Sequence, residues 1–134
     1  MSLRYLLDSD TLSKLVRNPR HPVAERIRVE GEGTVCTSII VASELRFGAA
    51  KRGSFRLSTQ LSRVLAALPV LPFEHPADER YAELRLDLEH AGTPVGPNDM
   101  LIAAHALALD LCVVSGNEAE FSRVPGLRVT NWLV

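Results

Sequence analysis

The chain has 134 residues, 46% of them apolar and 23% charged, with a net charge of −1 at neutral pH. That length supports one domain (1–134) with a real core, and the composition excludes a disordered chain. Only 5% of residues are aromatic, too few for an obvious single-strand stacking platform, and no apolar run reaches the ~18–20 residues of a membrane helix.

The near-zero net charge conceals an asymmetry. Residues 1–63 hold 11 Lys and Arg against 6 Asp and Glu; residues 64–134 hold 4 against 10. A basic half can meet phosphates, and an acidic half can hold cations. Arg4 precedes no apolar stretch of signal-peptide length, so a cytoplasmic protein is expected. Cys36 and Cys112 each sit in a short apolar run and read as reduced core thiols.

In chain order, residues 3–7 read as a buried strand ending at Asp8, and residues 10–16 as a helix stopped near Asn18-Pro19. A second short helix is expected over 22–29, with Pro22 near its start. Gly31 and Gly33 flank a turn before a strand at 34–37. Ser38 can cap a helix running to about Ala50, which Lys51-Arg52-Gly53 ends with positive charge and a glycine. An amphipathic helix follows over 55–68, closed by Pro69, then a strand at 70–73 and a charged helix at 77–90. Residues 92–96 form a loop, and a strongly apolar helix starts from about Pro97. A strand at 111–115, a turn at Gly116-Asn117, a helical turn at 118–121 and a last strand at 127–130 complete the pattern, with Trp132 near the end. Strands alternate with helices throughout. This predicts an α/β fold, an α/β/α sandwich on a mainly parallel sheet. In such sheets ligands sit beyond the carboxyl ends of the strands. Asp8, Asn117, Glu118 and Glu120 follow strands directly and should converge there.

Two carboxylates lie inside helices. Asp99 shares a face with Ile102, Ala103 and Ala106, at spacing i, i+3, i+4, i+7. No Lys or Arg lies between Arg85 and Arg123 to pair with it locally. A carboxylate in core-like company must be neutral, paired or bound to a cation. Its place in the first helical turn favours the ionised form. Glu44 shares a face with Ile40, Phe47 and Gly48. Asp8 can serve as a helix cap, as can Asp10. Hard oxygen ligands of this kind suit Mg²⁺ or Mn²⁺, and clustered anions raise one another's pKa unless a cation joins them.

The resemblance rests on Tyr5-Leu6-Leu7-Asp8-Ser9-Asp10-Thr11-Leu12, Ala42-Ser43-Glu44-Leu45-Arg46-Phe47-Gly48-Ala49 and the stretch from Gly92 to Asp99. It continues through Leu101-Ile102-Ala103-Ala104-His105-Ala106, Asn117, Glu120-Phe121, Arg123-Val124-Pro125-Gly126-Leu127 and Asn131-Trp132. The chain resembles the PIN-domain ribonucleases, in particular the VapC toxins of type II toxin–antitoxin modules, over nearly its whole length. The resemblance implies a PIN-like fold and Mg²⁺-dependent RNA cleavage leaving a 3′-hydroxyl and a 5′-phosphate. Asp8, Asp99 and Glu44 would be the metal ligands, with Glu120 as a fourth catalytic acid and Ser9 and Asn117 in support. Where the family often has Asn, this chain has Asp10 and Gly116; Ser9 replaces a common Thr.

The resemblance also implies transfer RNA as substrate, a VapB-type antitoxin lying in the toxin groove, DNA contact only through that antitoxin, a homodimer and no membrane association. Arg17, Arg20, Arg26, Arg28, Lys51, Arg52 and Arg56 are candidates for phosphate contacts. His21, His75, His90 and His105 have no metal-ligand spacing and read as structural or surface residues. Two rival readings remain. Asp8-Ser9-Asp10 after a strand resembles haloacid-dehalogenase-like phosphatases that form an aspartyl-phosphate, although Leu12 departs from that pattern. A non-catalytic PIN binding module is the other.

Overall fold

A computed structural model of the chain describes residues 2–133. Five strands, β1 (Tyr5–Leu7), β2 (Val35–Ser38), β3 (Val70–Leu71), β4 (Cys112–Val114) and β5 (Val129–Thr130), form one sheet in the order β3-β2-β1-β4-β5. Every pairing is parallel, so the mainly parallel sheet expected from the alternation is wholly parallel. Four of the strands are shorter than expected, whereas β2 keeps four residues, shifted by one. Ladder-like bonds extend past them, as where Arg4 N–H donates to Thr34 O and Cys112 N–H to Arg4 O.

Seven helices flank the sheet: α1 (Ser9–Arg17), α2 (Pro22–Glu30), α3 (Ile39–Arg52), α4 (Phe55–Ala67), α5 (Ala77–Ala91), α6 (Pro97–Leu109) and α7 (Glu118–Phe121). α1 packs with α2, α3 and α4, and α5 packs with α6. The local signals act as their chemistry requires. Ser38 Oγ accepts the Ile40 N–H at the start of α3, and Ser54 Oγ accepts the Leu57 N–H at the start of α4. Gly53 closes α3 at φ 64°, a left-handed conformation that a Cβ disfavours. His21, read as a structural or surface residue, caps α2: its Nδ1 accepts the Val23 N–H at 3.1 Å.

The core lies on both sides of β1 and β4, whose Leu6, Leu7, Val113 and Val114 are fully buried. α6 contributes five consecutive buried residues, Ile102 to Ala106, so it is enclosed on more than the single face that carries Asp99. One of them is His105, whose Nδ1 lies 2.8 Å from Ser38 Oγ. Burial holds this imidazole below its ordinary pKa, which suits an Nδ1 that accepts the Ser38 proton. The contact ties α6 to the start of α3. Cys36 is buried, and burial pushes its thiol up to about 12, as expected of an inert reduced cysteine. No helix among the described residues is long and apolar enough to cross a membrane.

The strand order decides where the site forms. The chain runs outward from β1 to β2 and β3, then returns to place β4 on the other side of β1. The β1/β4 boundary is therefore the topological switch point, where the connections diverge and leave a crevice at the carboxyl ends.

Candidate active site

Asp8 leaves β1 at that switch point and is 5% exposed. Its backbone N–H donates to Val114 O across the boundary. Its side chain does not cap α1, contrary to one sequence reading. Instead Oδ2 accepts a hydrogen bond from Ser115 Oγ at 2.8 Å, at the end of β4. Burial pushes the Asp8 carboxyl up to about 6; the Ser115 hydroxyl and the Ser9 N–H oppose that, and Asp10 and Glu44 add to it.

Glu44 reaches the crevice from α3. Ser9 Oγ donates to Glu44 Oε1 at 2.9 Å, so the residue after Asp8 holds the neighbouring carboxylate. The apolar face expected around Glu44 is only partly real. α3 buries Val41, Ala42 and Ala49, whereas Phe47 is 68% exposed, with Lys51 Nζ 6.0 Å from its ring centre. Sequence spacing alone put Phe47 inward because it sits i+3 from Glu44, but Glu44 itself faces the crevice edge and not the core.

Asp99 stands in the first turn of α6, half-buried. The helix end favours its ionised form, as expected, yet the balance goes the other way. Burial, then Asp8, Glu120 and Glu44, push its carboxyl up to about 7. The carboxylates acting on Asp99 are thus the other three predicted acids. Asn117 Nδ2 donates to Asp99 Oδ2 at 3.3 Å and to Glu120 Oε2 at 2.6 Å. Glu120 Oε1 accepts the N–H of Gly96, the residue that starts α6. Gly96 and Asn117 hold the Glu120 carboxyl below its ordinary range. Both Glu120 oxygens are thus engaged in fixing α7 against the start of α6. Glu118, expected at the same edge, is exposed.

Asp10 was expected to cap α1. Its Oδ1 does accept the Thr11 N–H at 2.7 Å, but Oδ2 accepts the Gly116 N–H at 2.9 Å and latches α1 to the loop after β4. A Cβ on residue 116 would stand 2.8 Å from Asp10 Oδ2. The two positions that depart from the family's usual Asn therefore touch each other. With both oxygens occupied, Asp10 is poorly placed as the acid/base partner that an aspartyl-phosphate mechanism requires. Sequence reasoning missed the roles of Ser115 and Gly96. A hydroxyl at a strand end and a glycine opening a helix are the only signals they leave.

None of these four carboxylates has an ion pair with Lys, Arg or His among the described residues. No group of three or more metal-ligating side chains among the described residues forms a ready-made cage. The donor chemistry nevertheless fits a hard divalent cation. The Asp8 and Asp99 carboxyls are both raised by burial and by neighbouring carboxylates, and neither has an ion pair among the described residues. Of the cations named as phosphate contacts, Arg26 pairs with Glu30 and Arg28 with Glu25. Arg17, Arg20, Lys51, Arg52 and Arg56 have no ion pair among the described residues, and Arg17 and Arg52 line one groove with Glu44.

Known proteins place the chain. The family model described as PIN domain matches residues 5–127. A tRNA(fMet)-specific endonuclease VapC of Salmonella typhimurium is 34% identical over 131 residues, covering 97% of this chain and 98% of that protein. Ribonuclease VapC2 of Rickettsia felis is 33% identical over 132 residues, covering 96% and 97%. Among solved structures, DNA-bound VapBC from Salmonella typhimurium superposes with a TM-score of 0.86 at 34% identity, covering 97% of this chain and 98% of that one. VapBC2 from Rickettsia felis, bound to a promoter DNA fragment, gives 0.89 at 29% identity, covering 98% and 99%. The chain therefore belongs to the PIN domain family, among its VapC proteins.

Proposed function

We propose that the protein is a toxic, Mg²⁺-dependent endoribonuclease that hydrolyses RNA phosphodiester bonds, with transfer RNA as its substrate. The observation that carries the reading is the convergence of Asp8, Glu44, Asp99 and Glu120 at the switch point, none of them in an ion pair among the described residues. Asp8 and Asp99 would hold the ion, with Glu44 as a further ligand. Mg²⁺, or Mn²⁺, held there would supply acidification of water and neutralisation of charge on the scissile phosphate. A carboxylate beside the ion would take the proton from the attacking water, and Ser9 orients Glu44 there. Asn117 holds Asp99 and Glu120 in register, and Glu120 fixes the start of α6 from which Asp99 projects. The unpaired cations of α1, α3 and α4 give the RNA backbone a positively charged approach.

The same reading includes a cytoplasmic homodimer neutralised by a VapB-type antitoxin, with DNA contacted through the antitoxin alone. The VapBC complexes that superpose on this chain over nearly its full length support it. The test is cleavage of transfer RNA by the wild type and by Asp99→Asn, with Mg²⁺ and with a chelator. Cleavage should need Mg²⁺ and the intact carboxylate. Equal cleavage by both proteins, or no cleavage of any transfer RNA, overturns the reading.

A further inference from the structure

Tyr5 opens β1, at the opposite strand end from Asp8. There Arg4, Tyr5, Arg26, Arg128, Thr130 and Trp132 line a cavity of about 200 Å³. Its walls are aromatic and well held. The Tyr5 and Trp132 rings lie 4.9 Å apart; the Arg4 guanidinium sits 5.1 Å from the Tyr5 ring centre, and that of Arg26 sits 5.5 Å from the Trp132 ring centre. Arg4 Nη2 donates to Tyr5 Oη at 3.0 Å, and Tyr5 Oη donates to Glu30 Oε2.

The charges do not cancel. Glu30 pairs with Arg26 and Asp110 with Arg128, but Arg4 has no carboxylate partner among the described residues. Three guanidiniums thus face one cavity against two flanking carboxylates. Trp132 is only 5% exposed, and its indole N–H finds no acceptor among the described residues. An unpaired buried donor is costly. Planar guanidinium forks match the oxygens of a phosphate group, and an oxyanion here would offset the surplus charge.

We propose that this cavity is a phosphate-binding site, formed by Arg4, Arg26 and Arg128 and separate from the acidic crevice. The phosphate belongs either to the RNA backbone or to a free phosphate or nucleotide. The first source rests on the ribonuclease reading. Two residues of β1, Leu6 and Leu7, separate Tyr5 from Asp8, a span of about 10 Å, so one RNA molecule can engage both sites.

Trp132 is the only tryptophan in the chain, so intrinsic fluorescence reports on this cavity directly. The probes are inorganic phosphate and a short single-stranded RNA, titrated into the full-length chain carrying Asp99→Asn to keep the RNA intact. Fluorescence should change saturably. Adding Arg4→Gln and Arg128→Gln should weaken binding by about tenfold or more, whereas the paired Lys substitutions should retain part of it. With Asp99 restored, a raised KM for RNA at unchanged kcat in the Gln variant assigns the phosphate to the RNA backbone. A response to inorganic phosphate with KM unchanged assigns it to a free ligand. No response to either probe, or equal responses in the wild-type and Gln cavities, overturns the proposal. The inorganic-phosphate arm is independent of catalysis, so failure of the nuclease reading would leave it standing.

Discussion

Asp8→Asn should stabilise the metal-free protein above neutral pH. The Asp8 carboxyl is buried and raised from 3.8 to about 6. The folded chain therefore binds this proton more tightly than the unfolded chain. The corresponding stability is fully present below about pH 4 and is lost as pH rises through about 6. At about 1.4 kcal/mol per pKa unit, the loss is about 3 kcal/mol by pH 8. Asp99, raised to about 7, acts in the same direction, with its effect screened by solvent because it is half-exposed. Asparagine removes the Asp8 charge and can still accept the Ser115 hydrogen bond through its carbonyl oxygen. For a domain of this size the gain corresponds to roughly 10 °C in melting temperature. Circular dichroism melts at pH 5 and pH 8, with chelator and with Mg²⁺, test it. The variant should melt higher than the wild type at pH 8 without metal, and the two should converge toward pH 5. Mg²⁺ should raise the wild-type melting temperature more at pH 8 than at pH 5, because protons compete for its ligands, and should raise that of the variant less. A variant that melts no higher than the wild type at pH 8 in chelator would refute the buried-repulsion account.

Substitutions at four other positions probe the contacts around the carboxylates and the tie between α3 and α6. Glu44→Gln should lower kcat for RNA cleavage by about 10²–10⁴, and Ser9→Ala, which leaves the carboxylate but removes its hydrogen bond, by about tenfold, both read in single-turnover assays. Gly116→Ala forces a methyl to within 2.8 Å of Asp10 Oδ2 and 2.9 Å of Leu133 Cδ1, and should cost about 1–3 kcal/mol in denaturant unfolding. Ser38→Ala should cost about 1 kcal/mol for the lost α3 cap and about 1–3 kcal/mol for the unpaired His105 nitrogen, with Ser38→Thr recovering part in the same unfolding assay.

The sequence by itself determined whatever depends on neighbours a few residues apart. The alternation of strands and helices, the Ser38 start, the Gly53 stop and the apolar character of α6 follow from periodicity and backbone preference, and they appear in the structure within a few residues. So does the placing of Asp8 at a strand end and Asp99 in a first helical turn, because each is a local relation. The tertiary structure alone decided which of these local features meet. Only the order β3-β2-β1-β4-β5 puts Ser115 against Asp8, although 107 residues separate them. The same order brings Gly116 to Asp10, and the packing of α3, α6 and α7 brings Glu44 to Ser9 and Asn117 to Asp99. Phe47 shows the limit in the other direction: helical spacing placed it with Glu44, but which face of α3 meets the core is set by packing against the sheet and α4. The reversal at Asp99 has the same origin. The helix end is visible in sequence and favours the anion, whereas three converging carboxylates and their burial exist only once the chain has folded, and together they outweigh it.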